Sequence, residues 1–172
     1  MSDFSIRLAR ESDAEALPAI ELAAAKLFET VDGLAGVAGM SAIPADRLRA
    51  MIRKGHSLVA ESAGRIVGFI ATEPTGRELH IREISVHPDF QQRGIGSVLL
   101  RGLGIDARNS GFAALTLTTF ADVEWNGPFY ARHGFETVRD LETHPRLHQE
   151  IESDIRAGLP RERRIAMIRF LD

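Results

Sequence analysis

The sequence predicts a mixed α/β (α+β) fold in which helices flank a central β-sheet. Short segments of β-type composition alternate along the chain with amphipathic segments of helical spacing. Of the 172 residues, 44% are hydrophobic and 26% are charged, as in ordinary globular proteins. No repeat and no Pro/Ser-rich linker divides the sequence. We therefore expect one domain that spans residues 1–172.

The amino-terminal region predicts a strand followed by a helix. Residues 4–9 alternate weakly in hydrophobicity, as a short strand does. Ser12 and Glu15 then have the spacing of a capping box, which marks the start of a helix. Apolar residues at helical spacing continue to about Glu29 and form one face: Leu17, Ile20, Ala24, Leu27 and Phe28.

A loop, a second helix and a hairpin come next. Residues 31–40 contain several glycines and predict a loop. After Pro44, a helix is marked by Leu48, Met51 and Ile52, and Gly55 is placed to end it. Residues 58–61 and 65–71 are short β-type runs separated by the turn sequence Ser-Ala-Gly, which favours a hairpin.

The next strand, over residues 79–86, has an irregular hydrophobic pattern. Its apolar residues change from odd to even positions: Leu79, Ile81, Ile84 and Val86. In a regular strand these two pairs would face opposite sides of the sheet. The pattern therefore predicts either a strand buried on both faces or a β-bulge at residues 82–84.

The second half of the chain predicts three more helices and three more strands. A helix is marked by Ile95, Val98, Leu99 and Leu103, and another begins within residues 128–132. The strands cover residues 115–120, 135–138 and 165–171. Before the last strand, Leu147, Ile151 and Ile155 repeat at four-residue spacing and predict an inserted helix that ends near Gly158 and Pro160.

Charge and composition narrow the class of function. The chain has 21 basic and 24 acidic residues and a net charge of −3, so we expect neither a nucleic acid nor a membrane partner. Cysteine is absent, which excludes disulfides, thiolate metal sites and a cysteine nucleophile. The first residues lack the apolar core of a secretory signal, and no apolar run approaches a bilayer span. These features predict a cytoplasmic protein that acts on a small molecule or a peptide.

The most informative segment covers residues 84–100, where a strand passes through a short turn into a glycine-bearing helix start. Backbone N–H groups in the first turn of a helix have no partner within the helix, and the helix dipole adds positive potential there. Gly94 and Gly96 carry no side chain that would keep a phosphate away. An isolated Gly-x-Gly pair is also common in simple turns. The segment lacks the Gly-Lys-Ser/Thr of a Walker loop, and Leu99 stands where a dinucleotide fingerprint has its third glycine.

This segment resembles the acyl-CoA signature of the GNAT superfamily, in which a strand ending Val-x-Pro leads into Arg/Gln-x-x-Gly-x-Gly/Ala. The matching residues are Val86, Pro88, Gln91, Gly94 and Gly96. The resemblance implies a mixed sheet with splayed parallel strands, and it implies that Ile84, Ser85 and Val86 pair with the pantetheine arm of acetyl-CoA. It also implies that the backbone from Gln91 to Gly96 holds the pyrophosphate. The cofactor-binding residues of this turn are then Gln91, Gln92, Arg93, Gly94, Ile95, Gly96 and Ser97.

A second stretch, residues 125–135, is similar to the GNAT helix that follows the fifth strand. By this resemblance Tyr130, the only tyrosine of the chain, protonates the departing CoA thiolate. A phenol suits that role because it is still protonated at neutral pH; a buried structural tyrosine is the alternative. Asn126 either contacts the CoA arm or caps the helix near Pro128, because it lies four residues before the tyrosine rather than about seven.

An amine must lose a proton before it attacks a thioester, so a carboxylate or an ordered water is needed near the splayed strands. Glu83 is the candidate base, on a face expected to be shared with Leu79 and Ile81; a solvent-facing residue or a partner of Arg82 or Arg101 is the alternative. Weaker candidates are Thr118, Glu124 and His87. His144 and His148 lie four apart but lack the glutamate of His-Glu-x-x-His, so we expect no metal site.

The resemblance thus implies an N-acetyltransferase in which an amine attacks acetyl-CoA directly and an N–H group near Ile84 or Ser85 stabilises the oxyanion. The alternative is a non-catalytic acyl-CoA-binding sensor or interaction module of the same fold. Residues 31–40 and 143–160 are expected to select the acceptor, with Asp32, Glu142 and Glu150 as acids that would attract a cationic amine. A homodimer is implied by the resemblance alone.

Overall fold

The computed structural model of the protein describes residues 3–172. Its seven strands form one sheet in the order β1-β2-β3-β4-β5-β7-β6. The strands are β1 Ser5–Leu8, β2 Leu58–Ser62, β3 Arg65–Thr75, β4 Glu78–Val86, β5 Ala114–Phe120, β6 Glu136–Thr137 and β7 Arg164–Phe170. The α-helices are α1 Leu17–Ala25, α2 Ala45–Arg53, α3 Ile95–Asn109, α4 Gly127–Arg132 and α5 Pro145–Arg156. The mixed sheet flanked by helices confirms the predicted fold class.

The centre of the sheet is split between β4 and β5. These two strands run parallel, whereas the other neighbouring pairs run antiparallel. Their pairing covers three positions and ends where His80 lies beside Thr116. Residues 81–86 and 117–120 therefore diverge, as splayed strands do, and leave a gap in the middle of the sheet.

A β-bulge, one of the two alternatives that the sequence pattern predicted, interrupts β4. Ala71 of β3 pairs with Glu83, while the next residue of β3 pairs with Ile81. Arg82 is therefore an extra residue on β4 and has no opposite partner. The bulge explains the change of parity, because the apolar residues before and after it all pack in one cluster: Leu79, Ile81, Ile84 and Val86.

The bulge also corrects the expected orientation of Glu83. Because Ile84 packs on the same side as Leu79 and Ile81, the side chains of Glu83 and Ser85 lie on the opposite face of the sheet. The expectation that Glu83 shares a face with Leu79 and Ile81 was wrong, since it assumed a regular strand. The extra residue turns the carboxylate from the α3 side toward the side covered by α1.

Apolar side chains pack against both faces of the sheet. On one face α3 packs against the central strands through fully buried leucines: Leu99, Leu100 and Leu103. On the other face α1 and α2 cover β2 and β3, with Leu17, Leu48, Met51 and Phe69 at the centre of a second cluster. A smaller cluster around Leu147 and Ile151 packs α5 against β7. The sheet is therefore a rigid support for the gap between β4 and β5.

The first helix differs from its prediction at both ends. Residues Glu11–Ala16 form a 3-10 helix, and α1 begins only at Leu17, with Pro18 in the first turn where its missing N–H costs nothing. The predicted capping pair is wrong, because the Asp13 carboxylate accepts the Arg10 N–H at 2.7 Å instead. The chain then tightens into a second 3-10 helix over Lys26–Thr30.

Other boundaries shift by a few residues. The predicted loop at residues 31–40 contains a 3-10 turn, Ala35–Gly39. Strand β3 extends beyond the predicted residue 71, and β6 keeps only two residues because it pairs with β7 alone at the sheet edge. Within residues 3–172, none of the helices has the length and apolarity needed to cross a membrane.

Candidate active site

A cleft of about 1050 Å³ fills the gap between β4 and β5. Its walls come from both splayed strands, the amino-terminal turn of α3, helix α4, and parts of α1 and α5. Nearly all residues predicted to bind acetyl-CoA line it: Ile84, Ser85, Val86, Gln91, Gln92, Gly94, Ile95, Gly96, Ser97 and Asn126. Both predicted catalytic residues, Glu83 and Tyr130, line it as well.

The turn before α3 is shaped so that the helix start faces the cleft. Gly94, the residue before the helix, has φ +81°, a conformation that glycine adopts without strain, and Gln92 has φ +61°. The Gln91 side-chain amide donates a 3.0 Å hydrogen bond to the Val86 carbonyl, which ties the turn to the end of β4. The unpaired N–H groups of the first turn of α3 therefore lie at the cleft.

Two predicted residues of this turn do not reach the cleft. The Arg93 guanidinium stacks over the Phe90 ring at 5.0 Å and donates to the Asp89 carbonyl, so it lies away from the predicted pyrophosphate position. His87 accepts the Asp89 N–H through Nδ1 and is likewise absent from the lining. The Arg93 side chain is thus not placed to add its charge at the rim, because the turn folds it onto Phe90, whereas the predicted role of the Arg93 backbone stays a prediction.

Glu83 lies at the point where β4 and β5 separate. The Ser85 hydroxyl donates a 2.6 Å hydrogen bond to its Oε1, and neither Arg82 nor Arg101 pairs with it. Burial, followed by the negative charge of Glu21, raises the pKa of Glu83 to about 8, and the Ser85 hydrogen bond only partly opposes this. A carboxyl group with a pKa near neutrality can accept a proton from a bound amine and later release it.

Tyr130 is buried in α4, with only 5% of its surface exposed. Its ring packs edge-on against Phe129 and Phe135, while its hydroxyl forms no hydrogen bond within residues 3–172. Burial, followed by the negative charge of Glu83, raises the pKa of Tyr130 above its usual value, so the phenol stays protonated. The hydroxyl is thus a proton donor that faces the cleft without a protein partner.

Helix α4 is held close to β5 by a glycine. A Cβ at Gly127 would lie 2.8 Å from the Ala121 carbonyl oxygen and 2.9 Å from that of Phe120, closer than side chains approach backbone. Only glycine permits this contact between the helix start and the end of β5. Gly127 therefore fixes the position from which Tyr130 projects.

Asn126 does not cap α4. It occupies the position before the helix, yet its side chain bonds none of the helix N–H groups, and its Nδ2 donates to the Trp125 carbonyl at 3.2 Å. Its Oδ1 is the buried side-chain oxygen that lacks a hydrogen-bond partner within residues 3–172. Such an oxygen costs free energy unless a ligand supplies a donor. Helix capping was therefore the wrong alternative for this residue.

Among the polar residues of the cleft that sequence reasoning missed are Glu21, Arg164 and His80. Arg164 of β7 donates to Asp154 at 2.8 Å and to the Thr118 hydroxyl at 3.2 Å, and its guanidinium lies 4.6 Å from the centre of the Phe120 ring. These residues meet only through long-range strand pairing. The one available signal was Glu21, a lone acid within an apolar helix.

His80 closes the narrow end of the cleft. Its Nδ1 lies 2.9 Å from the Thr116 hydroxyl and 3.2 Å from the Arg146 guanidinium, which also binds Glu78. Because Arg146 can only donate, Nδ1 is an acceptor and the ring proton sits on Nε2. Burial, followed by the positive charges of Arg82 and Arg146, lowers the pKa of His80 to about 3.

The remaining candidates are scattered. Thr118, Glu124 and Glu150 line the cleft, but Thr118 is bonded to Arg164, and Glu150 accepts a 2.5 Å hydrogen bond from Arg82. Asp32 and Glu142 do not line it. His144 bonds Glu78, whereas His148 lies beside Glu152, so the two histidines contact different carboxylates. Within residues 3–172 no three metal-binding side chains cluster.

Comparison with known proteins decides the family. Residues 53–137 match the acetyltransferase (GNAT) domain family, and this range contains the splayed strand β4, the turn into α3 and Tyr130. This segment belongs to the GNAT superfamily. A curated relative, described as the uncharacterized N-acetyltransferase ycf52 of Porphyra purpurea, is 36% identical to this chain over 76 residues. That match covers 44% of this chain and 42% of the relative.

Solved structures share the GNAT fold. The PaiA N-acetyltransferase of Thermoplasma acidophilum, crystallised with coenzyme A, aligns over 97% of this chain and 98% of its own, with a TM-score of 0.71 and 15% identity. A GNAT family acetyltransferase of Brucella melitensis, crystallised with acetyl-CoA, is 27% identical over 79% of this chain and 84% of its own, with a TM-score of 0.56.

Proposed function

We propose that this GNAT protein is an N-acetyltransferase that carries an acetyl group from acetyl-CoA to a primary amine, in one domain of residues 1–172. The amine attacks directly within a ternary complex, and the reaction uses neither a metal nor a covalent enzyme intermediate. The observation that carries the proposal is the composition of one cleft. This cleft contains the first turn of α3, whose N–H groups are unpaired, and the edge of β4 that separates from β5. It also contains two side chains that can carry a proton, Glu83 and Tyr130.

The helix start suits a pyrophosphate. Gly94, Ile95, Gly96 and Ser97 line the cleft at the first turn of a 15-residue helix. Their N–H groups and the helix dipole together favour a dianionic ligand. Gly94 has nothing within 4 Å of the position where a Cβ would stand, so the space above it is open to a ligand. We assign this turn to the CoA pyrophosphate.

The free edge of β4 suits the pantetheine arm. Beyond His80 this strand has no partner on its β5 side within residues 3–172, while its other side remains paired with β3. Unpaired strand N–H and C=O groups bind an extended chain that carries amides, as pantetheine does. We assign Ile84, Ser85 and Val86 to that pairing. The orphan oxygen of Asn126, across the cleft, is suited to accept a pantetheine N–H.

The assigned positions support a direct transfer. The ammonium group of the acceptor gives one proton to Glu83, and the resulting amine attacks the thioester carbonyl carbon. A strand N–H near Ile84 or Ser85 stabilises the oxyanion. As the tetrahedral intermediate collapses, the C–S bond breaks and Tyr130 protonates the thiolate. The nitrogen loses its second proton, which restores the phenol, and Glu83 releases its proton to solvent.

Glu83 and Tyr130 act on each other through charge. The carboxylate of Glu83 is one cause of the raised pKa of Tyr130. When Glu83 takes the proton of the amine, that negative charge disappears and the phenol becomes a stronger acid. Arg164, whose positive charge lowers the pKa of Tyr130, remains in place. Proton uptake by the base therefore prepares the acid for the next step.

The second candidate is a non-catalytic acyl-CoA-binding module of the same fold. Such a module needs the helix start and the strand edge but has no use for a proton donor without a partner. The free hydroxyl of Tyr130 beside Glu83 favours the enzyme. We further propose a cytoplasmic location and, from the family resemblance, a homodimer.

Calorimetric titration of the purified protein tests the shared first step of both candidates. Acetyl-CoA is the ligand, and ATP and NAD are the controls, because they carry a pyrophosphate without pantetheine. Selective binding of acetyl-CoA is expected. Equal binding of the three ligands, or binding of none, would overturn the cofactor assignment. Release of free CoA on addition of an amine then distinguishes the enzyme from the binding module.

A further inference from the structure

A second carboxylate, that of Glu21, lines the same cleft as Glu83. Glu21 projects from α1, and its Oε2 accepts the Ile43 N–H at 2.9 Å. Its negative charge reaches Glu83, where it contributes to the raised pKa, and burial raises the pKa of Glu21 itself. Two acids therefore lie close together in a half-buried place, where like charges repel.

These two acids have no ion-pair partner in the part of the chain that the structure describes, although the positive charge of Arg164 slightly opposes the raised pKa of Glu83. Within residues 3–172 neither Glu21 nor Glu83 forms an ion pair. Four arginines line the cleft, and two of them, Arg82 and Arg164, are engaged with other carboxylates, whereas Arg47 and Arg132 are not among the causes of the raised pKa of Glu21 or Glu83. Arg164 binds Asp154, and Arg82 binds Glu73 and Glu150. A cationic ligand that entered the cleft here would therefore meet two carboxyl groups that have no ion-pair partner within residues 3–172.

Apolar side chains surround the opening above the two acids. Phe28 and Trp125 lie with ring centres 5.5 Å apart, and Leu22 is 44% exposed on the same rim. Met40, Ile43 and Leu159 complete this side of the lining. An apolar rim above buried carboxyl groups favours a ligand with an apolar skeleton, which contacts the rim, and a cationic group, which reaches the carboxyl groups.

We propose that the acceptor is a cationic primary amine on an apolar or aromatic skeleton, and that Glu21 is an acceptor-binding residue that receives its ammonium group together with Glu83. This inference rests on the proposed transferase function and adds its substrate class. Glu21 holds the ammonium while Glu83 takes the proton. The skeleton of the amine packs against Leu22, Phe28 and Trp125.

Three amines test the substrate class in a free-thiol release assay with acetyl-CoA at pH 7.5. 2-Phenylethylamine is cationic and apolar, ethanolamine is cationic and polar, and aniline is aromatic but uncharged. We expect kcat/KM for 2-phenylethylamine to exceed that for either of the others by about tenfold or more, because each of them lacks one of the two matched features.

Two pairs of variants test the residues. Glu21→Gln is compared with Glu29→Gln, which removes an exposed acid outside the cleft. Trp125→Ala is compared with Phe170→Ala, which removes an exposed aromatic at the end of β7. We expect Glu21→Gln and Trp125→Ala each to raise KM for 2-phenylethylamine about tenfold. KM for acetyl-CoA should stay within about twofold, and both controls should behave as the wild type.

The pH profile separates a charge role of Glu21 from a merely structural one. The groups that face Glu83 are Glu21 of α1, Ser85 of β4, Tyr130 of α4 and Arg164 of β7. Loss of the Glu21 charge should lower the pKa of Glu83. The increase of kcat/KM with rising pH should therefore occur at lower pH in Glu21→Gln, but not in Glu29→Gln.

The outcomes distinguish the two proposals. Release of CoA by none of the amines, despite acetyl-CoA binding, would overturn the transferase function and this inference with it. Equal use of the three amines, or equal kinetics of Glu21→Gln and Glu29→Gln, would overturn the inference while the transferase function stood. A raised KM for the cationic amine together with the shifted pH profile would support it.

Discussion

Ser85 and Glu83 lie on the same face of β4, and the Ser85 hydroxyl donates a 2.6 Å hydrogen bond to Glu83 Oε1. This bond favours the carboxylate, whereas burial and the charge of Glu21 favour the carboxylic acid. The second pair of effects dominates, and the pKa of Glu83 rises to about 8. Both residues owe this placement to the extra residue at Arg82, without which they would face α3.

The first prediction concerns pH. A base with a raised pKa is protonated, and so inactive, below that pKa, which means that activity is lost as the pH falls through it. We expect kcat/KM to rise with pH through a value near 8. Glu83→Gln should lower kcat/KM by about a hundredfold or more and flatten this rise. A pH–rate profile that is the same in both proteins would contradict the assignment of Glu83 as the base.

The second prediction concerns the helix start. Gly94→Val places a β-branched residue at φ +81° and fills the space assigned to the pyrophosphate. Gly111→Val is a matched control at the other end of α3, because Gly111 has φ +84° and its Cβ would also meet nothing within 4 Å. Both variants should lose comparable thermal stability, but only Gly94→Val should weaken acetyl-CoA binding by about tenfold or more, as measured by calorimetry. Equal affinity in the two variants would argue against the pyrophosphate position.

The third prediction concerns Asn126. Removal of a buried oxygen that has no partner relieves an unfavourable group in the free protein, so Asn126→Ala should leave thermal stability unchanged or slightly raised. The same change should weaken acetyl-CoA binding several-fold, because the pantetheine donor loses its acceptor. A stability loss of about 1 kcal/mol with unchanged affinity would instead indicate a capping role.

The fourth prediction concerns His80, whose pKa is lowered to about 3 in the fold from an ordinary value of 6.5. The unfolded chain binds a proton that the folded chain rejects, so this residue reduces stability as the pH falls below 6.5. The loss approaches about 1.4 kcal/mol per pH unit between that value and the lowered pKa. Denaturant unfolding at pH 7 and pH 5 measures how much the free energy of unfolding decreases in acid. We expect a smaller decrease in His80→Gln than in the wild type. An equal decrease in the two proteins would mean that His80 is protonated in the folded protein without a loss of stability.

Much of this fold was predictable because its signals are local. The parity change between Ile81 and Ile84 left only two alternatives, a bulge or a strand buried on both faces, and the structure has the bulge. The helical spacing from Ile95 onward predicted α3, and the anion-binding role of its glycine-bearing start stays a prediction. The resemblance of residues 125–135 to a family helix predicted that Tyr130 lies at the active-site cleft. Each of these inferences needed only neighbours along the chain.

What the sequence did not reveal depends on distant contacts. Glu21 meets Glu83 only because α1 packs over β4, and Arg164 meets Thr118 only through the pairing of β5 with β7. The predicted capping pair at Ser12 and Glu15 failed because an ion pair between Arg7 and Asp13 fixes a different turn. The sequence pattern also predicted the wrong face for Glu83. The expected orientation assumed a regular strand, whereas the extra residue at Arg82 moves the Glu83 side chain to the opposite face of the sheet.

The proposed transfer mechanism is tested most simply by the rate at which Tyr130→Phe releases CoA at saturating acetyl-CoA and amine. The variant keeps the buried ring and removes only the hydroxyl, which makes no hydrogen bond within residues 3–172. We expect kcat to fall by about a hundredfold while acetyl-CoA affinity stays within about twofold. An unchanged kcat, with chemistry shown to limit the rate, would contradict the role of Tyr130 as the acid that releases CoA.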